Sequence, residues 1–391
     1  MPWKQVSAMD LREEFVRLAE LDGANRRELC RRFGISPQTG YKWLRRHGAC
    51  EANGFADGSR RPHSSPGRTA TGVECRILEV RDRHPAWGAR KIRAFLNSAG
   101  HEVPAASTVH QVLLRHGRIV PPQGGPRASL RFEADAPNDL WQMDFKGWSR
   151  LGDGAVLNPL TIVDDHSRFS PCLKALATQT GSEVQAALAD VFRIHGLPTA
   201  LFTDNGSPWG DSQGAKWSCL GVWLLKLGVK LIHARPYHPQ SRGKNERFHR
   251  SLDEEVLNLN PLHNQMQAQQ AFDRWRAIYN HQRPHEALGF TVPASRWRPS
   301  LRPLPEKLPE PEYGDGTIVR VVSTTKSYLS FRGRHWLMPK AFRGERLAIR
   351  PTNVDGQYGV FFAAHRIGTI DLTSNQSVSH VSEHASTMSP G

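Results

Sequence analysis

The 391-residue chain holds only five cysteines (Cys30, Cys50, Cys75, Cys172 and Cys219), and no two of them form a Cys-x-x-Cys pair. That scarcity excludes a disulfide framework and a cysteine-rich zinc site, and it fits a reducing compartment. No stretch approaches the ~18 consecutive apolar residues of a membrane-crossing helix, and Met1-Pro2-Trp3-Lys4 lacks the apolar segment of a signal peptide. A cytoplasmic protein with no membrane partner is expected. Acidic side chains are also in deficit. Asp plus Glu number 37 against 52 Lys plus Arg, a formal charge of +15. At roughly 150 residues per domain the length rules out a single small module.

The positive excess is uneven. Residues 1–130 hold 22 Lys/Arg against 12 Asp/Glu, ten of the fifteen net charges in one third of the chain. Such a concentration attracts phosphate backbones without regard to sequence and weakens with salt, whereas a basic surface kept for solubility would be spread more evenly.

Helix signals in the same third refine this. Asp10 followed by Glu13 has capping-box spacing, with Leu11, Phe15 and Leu18 on one helical face. Asn25 with Glu28 repeats the cap before Leu29 and Phe33, Gly34 supplies a turn, and Ser36-Pro37 is an N-cap followed by proline. The result reads as helix, turn, helix. Its third helix would bury Trp43 and Leu44 and present Gln38, Thr39, Lys42 and Arg45 to a major groove. Gly40 inside that helix is a departure costing about 1 kcal/mol relative to alanine. A second set runs from Val73 to Arg83, Ala89 to Ser98 and a Ser107-capped helix to Arg115. There Arg90 and Lys91 stand near a helix N-terminus, where phosphate also meets free N–H groups. Two such modules cover an extended DNA site through high effective concentration.

Residues 138–297 carry the densest chemistry. Leu140 to Phe145 reads as a strand bearing Asp144, with further strands over 157–163 and 169–177 around the turn at Asp164-Asp165-His166-Ser167. An amphipathic helix follows from Ser182 to His195, ended by Gly196. The apolar run Thr199 to Thr203 then places Asp204 at a strand end, and after another strand at 230–234 a helix exposes Glu246 with His249 and Arg250 on the same face. Three carboxylates from strand, strand end and helix make an oxygen-donor set for Mg²⁺ or Mn²⁺. Two such ions clamp the attacking and leaving oxygens of an in-line displacement at phosphorus. Alone, Thr203-Asp204-Asn205-Gly206 is as readily a turn, and a helical glutamate beside arginine a solvated ion pair.

Taken together, W-Q-M-D-F-K-G, V-D-D-H-S-R-F, T-D-N-G-S-P-W, H-P-Q-S-R-G-K-N-E-R-F-H-R-S-L and Y-N-x-x-R-P-H-x-A-L-G, in this order, resemble the core of prokaryotic insertion-sequence transposases of the DDE type, relatives of retroviral integrases. The resemblance covers residues 138–297, and the helix-turn-helix part before it fits. It implies a triad of Asp144, Asp204 and Glu246 holding two Mg²⁺ (or Mn²⁺) ions, and a ribonuclease-H-like five-stranded mixed sheet with flanking helices. Forty-one residues separate Asp204 from Glu246, more than is usual in the wider family, and the extra ones are expected as a loop and helix between Trp209 and Trp223. The His/Cys zinc module of retroviral relatives has no counterpart here. Asp164 and Asp165 rival the triad for a metal role, but their turn position favours capping contacts. Arg242, Lys244, Arg247 and Arg250 are expected to meet DNA phosphates, since guanidinium does not exchange its proton near neutral pH.

The expected architecture is multidomain: a helix-turn-helix DNA-binding domain (1–57), a linker (58–68), a second helix-turn-helix domain (69–119), a linker (120–137), the α/β core (138–297), a linker (298–311), a small all-β barrel (312–372) and a disordered tail (373–391). Hairpin turns are expected at Arg332-Gly333-Arg334 and Asp355-Gly356. The expected function is a DNA transposase that binds the terminal inverted repeats of its element, cleaves at the ends and joins them to target DNA, working as a homo-oligomer in the prokaryotic nucleoid. A regulator with an inactive core and a ribonuclease-H-like nuclease without strand transfer are the rivals; the intact carboxylates disfavour the first and the paired reading modules the second.

Overall fold

A computed structural model of the chain describes residues 7–49, 55–57, 67–119, 133–204, 206–209, 217–233, 243–259, 261–373 and 379–380. Arg242, most of the expected linkers 58–68 and 120–137, and nearly all of the expected tail lie outside the described residues. The chain divides into two units, Met1–Arg68 and Thr69–Gly391.

The first unit is a three-helix cluster: α1 (Ala8–Ala19), α2 (Arg26–Arg32) and α3 (Pro37–Gly48). The cap of α1 lies one turn earlier than Asp10 and Glu13 suggest. Ser7 and Asp10 form a reciprocal capping box, the Asp10 N–H donating to Ser7 Oγ at 3.1 Å and the Ser7 N–H to Asp10 Oδ2 at 2.9 Å. The inward face is Phe15, Val16 and Ala19, with Leu11 exposed. Asn25 and Ser36 cap α2 and α3 as expected. Gly40 is no defect. A Cβ there would lie 2.7 Å from Cys30 Sγ and 2.8 Å from Phe15 Cζ, so its absence is what lets α3 press onto α1 and α2.

In the second unit, α4 (Thr71–Arg83), α5 (Ala89–Ser98) and α6 (Ala106–Arg115) enclose Ile77, Val80, Trp87, Ile92, Leu96, Val109, Val112 and Leu113. Ser107 is not the cap of α6; Ala105 precedes the helix and no side chain caps it.

Six strands follow: β1 (Leu140–Phe145), β2 (Ser149–Arg150), β3 (Val156–Asp164), β4 (Cys172–Leu176), β5 (Ala200–Thr203) and β6 (Lys230–His233). The order β4-β3-β1-β5-β6 is antiparallel on the β4 side and parallel from β1 to β6, with β2 a short addition at the start of β3. This is the mixed sheet of a ribonuclease-H-like core. Helix α7 (Gly181–His195) and the crossover helix α8 (Cys219–Lys226) cover one face, packing on Trp141, Met143, Leu160, Ile162 and Leu201. The other face, with Leu157, Val163 and Leu173, receives α9 (Gly243–Leu252) and α10 (Gln265–His281) through Phe248, Leu252, Phe272, Trp275 and Tyr279. Because side chains alternate along a strand, the residues between those of the first face, Gln142 and Asp144 on β1 and Thr161 on β3, point toward α9. Helix α8 forms the crossover between the parallel strands β5 and β6, and residues 210–216 of the stretch expected to hold the extra length lie outside the described residues.

Beyond Trp297 the chain straps across the core instead of leaving it: Arg302 donates to the carbonyls of Pro198, Leu227 and Gly228 at 2.9–3.0 Å, and the Leu197 N–H donates to the Arg302 carbonyl at 2.7 Å. The last part is all-β. One sheet holds β7 (Ile318–Val321), β10 (Arg346–Pro351), β11 (Gln357–Phe362) and β12 (His365–Asp371); the other holds β8 (Tyr328–Phe331), β9 (Arg334–Leu337) and β13 (Ser379–His380). Arg332 and Gly333 both take positive φ, 51° and 72°, at the β8–β9 hairpin, the requirement of a type I′ turn. The two sheets share one apolar core, on which Trp217, Val222 and Leu225 of the α8 region also pack.

Candidate active site

Parallel pairing of β1 with β5 sets Gln142 beside Phe202. Carried two residues further, the same register brings Asp144 level with Asp204 at the strand ends. Asp204 Oδ1 accepts the Gly206 N–H at 3.0 Å, the Asx-type turn that its Asp-Asn-Gly sequence favours. Its carbonyl accepts from His233 Nδ1 on β6 at 2.8 Å.

Glu246 lies exposed in the first turn of α9. Two polar side chains add to the apolar contact of that helix with the sheet. His249 Nε2 contacts Thr161 Oγ1 at 2.8 Å, and the same hydroxyl donates to the Asp144 carbonyl at 2.9 Å. A hydroxyl has one hydrogen, so with it committed to Asp144 the imidazole is the donor. Burial, with Lys146 nearby, lowers the His249 pKa to about 4 and keeps the ring neutral. On the other flank, Lys244 Nζ pairs with Asp165 Oδ1 and reaches the Asp165 carbonyl at 3.3 Å. Burial lowers the pKa of Lys244 and the Asp165 carboxylate opposes that shift.

The donor type of the triad positions suits a hard divalent cation, since all are carboxylates. Among the described residues, however, no three His, Cys, Asp or Glu side chains surround one point closely enough to hold an ion. The structure thus places Asp144 and Asp204 on neighbouring strand ends and Glu246 on the helix above that face, without drawing the three carboxylates together.

Asp164 and Asp165 are fully buried and saturated. Asp164 accepts from the Asn138 N–H (2.8 Å), the Ser167 N–H (2.7 Å) and Ser167 Oγ (2.6 Å); Asp165 accepts from the Ala134 N–H and Gln142 Nε2, each at 2.7 Å, besides Lys244. These are turn and cross-linking contacts. Lys244 is spent inside the protein, while Arg247 and Arg250 are exposed.

Of the other DNA-contact candidates, Gln38, Lys42 and Arg45 are exposed along α3, with Lys42 Nζ 4.9 Å from the Trp43 ring centroid. The Thr39 hydroxyl is held by Ser36 Oγ at 2.9 Å. Arg90 pairs with Glu286 at 3.1 Å. Lys91 is half-buried, and burial together with Arg283 lowers its pKa to about 8 against the pull of Glu255, Glu254 and Glu286. Both line a cleft between the N-termini of α5 and α6 with Ser107 and His110.

The motif Y-N-x-x-R-P-H, whose purpose the sequence leaves open, builds a buried polar brace. Asn280 bonds both the N–H and the carbonyl of Ser170, at 2.8 and 3.0 Å. Arg283 donates to Glu255 and Ser251, at 2.9 and 2.8 Å, and Tyr279 meets His285 at 3.3 Å. Glu255 lies in a π-helical turn (Asp253–Leu257) continuing α9, so the brace ties α9 to α10.

Comparison with known proteins accords with this architecture. Two integrase core domain models match residues 134–239 and 227–293, and the model described as IS481 family transposase, C-terminal domain, matches 318–378. A helix-turn-helix domain matches 11–63 and a homeodomain-like domain 39–113. The chain is 26% identical over 251 residues to the insertion element IS476 uncharacterized 39.2 kDa protein of Xanthomonas euvesicatoria, covering 63% of this chain and 70% of that one. It is 24% identical over 252 residues to the insertion element IS407 uncharacterized 31.7 kDa protein of Burkholderia multivorans, covering 63% and 88%. A Gag-Pro-Pol polyprotein of Mason-Pfizer monkey virus is 36% identical over 117 residues, 30% of this chain and 6% of that one.

Proposed function

The chain is a prokaryotic insertion-sequence transposase with an integrase-like core, and from that premise we propose that it recognises the terminal inverted repeats of its element, cleaves at their ends and joins the freed 3′ ends to target DNA. What supports this reading is the parallel pairing of β1 with β5, whose register, continued past Gln142 and Phe202, would set Asp144 and Asp204 side by side.

In this reading a water attacks the phosphodiester at the element end and frees a 3′-hydroxyl. That hydroxyl then attacks a phosphodiester of the target, one P–O bond forming as another breaks, so the number of phosphodiesters is conserved in the joining step. Asp144 and Asp204 hold their carboxylates at the strand ends, and Glu246 would complete an oxygen-donor set by re-orienting its side chain while α9 keeps its place. Held there, Mg²⁺ or Mn²⁺, two ions by resemblance, would supply charge stabilisation at the attacking and leaving oxygens. Arg247 and Arg250, exposed on α9, would steady the DNA backbone. The α3 face of Gln38, Lys42 and Arg45 would read base edges. The cleft between α5 and α6 offers free helix N–H groups to a phosphate beside Arg90 and Lys91. Bringing two ends together calls for more than one copy of the chain, so a homo-oligomer is the working form.

The test uses labelled DNA ending in the inverted repeats that bracket the gene, incubated with Mg²⁺ and target DNA. Wild-type protein should give 3′-end cleavage and joined products, and Asp204→Asn should bind the ends equally well and give neither. Equal cleavage by both proteins removes Asp204 from the chemistry; binding without any cleavage by wild type leaves the regulator reading in its place.

A further inference from the structure

Helix α9 carries Glu246 but takes its position from other residues. At about 100° per residue its buried residues Asn245, Phe248, Ser251 and Leu252 share one arc, with Phe248 and Leu252 in the core under the sheet and Ser251 against Arg283. Lys244 falls near one edge of that arc and His249 about 40° beyond the other, about 140° apart, and Glu246 stands about 60° beyond His249. Hydrophobic contact is non-directional, and the Arg283–Ser251 hydrogen bond fixes the far end of the helix. The flanking contacts are directional. Lys244 is anchored on Asp165, which is itself fixed by Gln142 of β1 and by the Ala134 N–H. His249 is anchored on Thr161, whose hydroxyl also holds the Asp144 carbonyl.

We propose that these two pairs form a clamp on α9, making Lys244 and His249 positioning residues that set Glu246 relative to Asp144. The inference rests on the reading of Glu246 as a member of the functional set, and it takes Lys244 away from direct DNA contact. A roll of α9 in either direction strains one pair or the other. With a side-chain radius of about 5–6 Å, a roll of ~20° displaces a surface carboxyl by roughly 2 Å. Displacements of about 1 Å already cost on the order of 10²-fold in rate where groups must align. The His249–Thr161–Asp144 chain links the helix directly to the strand that bears the first aspartate, so error in one is transmitted to the other.

The experiment compares wild type with Lys244→Met, His249→Ala, His249→Gln and Thr161→Ser in the full-length protein, using three readouts. Amide hydrogen exchange of α9 should quicken in Lys244→Met and His249→Ala while β1 and β3 amides stay protected, which also certifies folding. Glutamine places an N–H donor where Nε2 stood and serine keeps the hydroxyl, so both conservative variants should hold α9 near wild-type protection. Single-turnover cleavage at saturating end DNA should fall about a hundredfold in the two disruptive variants and recover in the conservative ones. The salt dependence of end binding should keep its slope in Lys244→Met. A slope reduced by about 0.9 with cleavage intact would make Lys244 a phosphate contact and overturn the clamp, as would unchanged α9 exchange in both disruptive variants. If wild type cleaves nothing while α9 loosens as stated, the clamp stands and the cleavage reading fails.

Discussion

Arg283, on the chain just past α10, donates from Nε to Glu255 Oε1 at 2.9 Å, with both side chains under a tenth exposed. The pair crosses from one core helix to the turn continuing another, and Trp275 Nε1 donates to the second carboxylate oxygen at 2.8 Å. Both carboxylate oxygens of Glu255 are thereby engaged by protein donors, which is the condition under which a buried ion pair holds.

Removing one partner leaves the other charged and dry. Arg283→Met should therefore destabilise the folded chain by about 3–5 kcal/mol. Chemical denaturation followed by tryptophan fluorescence measures this. The double variant Arg283→Met/Glu255→Met should be closer to wild type than either single variant, and additive losses would show that the two side chains do not depend on each other.

Gly40→Ala should weaken the first unit although alanine favours helices. The added methyl lands 2.7 Å from Cys30 Sγ and 2.8 Å from Phe15 Cζ, and overpacking of this kind costs about 1–3 kcal/mol against a propensity gain of about 1 kcal/mol. Hydrogen exchange of α1–α3 amides in the full chain is the measurement. Adding Cys30→Ala should restore part of the protection; no restoration would place the strain elsewhere.

Acid should destabilise the protein well above the carboxylate range. Burial lowers the pKa of His285 to about 3 and those of His195 and His249 to about 4. Above about pH 6.5 these groups are neutral in both states and contribute no pH dependence. As pH falls below 6.5 the unfolded chain binds protons that the folded sites refuse, so stability declines toward pH 4. Urea midpoints at pH 7.5 and 5.0 should differ in that direction, and His285→Gln should shrink the difference.

Lys42→Ala and Arg45→Ala address DNA reading by α3. Loss of a phosphate contact should lower the slope of log affinity against log salt by about 0.9 and weaken all sequences alike, whereas loss of a base contact costs about 1–3 kcal/mol on the cognate repeat alone. Titrations on repeat and scrambled duplexes at several salt concentrations separate the two. Unaltered binding on both would move recognition off this face.

The helices and strands around the site are readable because they answer to local signals. The spacing of Val184, Leu188, Val191 and Phe192 and the stop at Gly196 describe α7 as found, ending at His195. Asn25 and Ser36 announce α2 and α3. Where two local signals compete, sequence does not rank them. Asp10 with Glu13 has the spacing of a cap, yet the backbone geometry puts the cap at Ser7, with Asp10 as its partner. Gly40 reads as a cost because propensity is a property of one residue, while its benefit is a contact with Phe15 and Cys30 from two other helices.

The order of side chains along the chain is enough to put Asp144 on a strand and Glu246 on a helix, since periodicity is written residue by residue and needs no distant partner. Which side chain ends up spent inside the molecule is a different matter. Lys244 and Arg250 look alike in the sequence, yet one meets Asp165 and the other meets solvent. Arg302 sits in a stretch composed like a linker, yet it closes three carbonyls of the core. Those outcomes depend on residues tens of positions away arriving at the same place, and only the packed chain supplies the desolvation that turns a proximity into a bond.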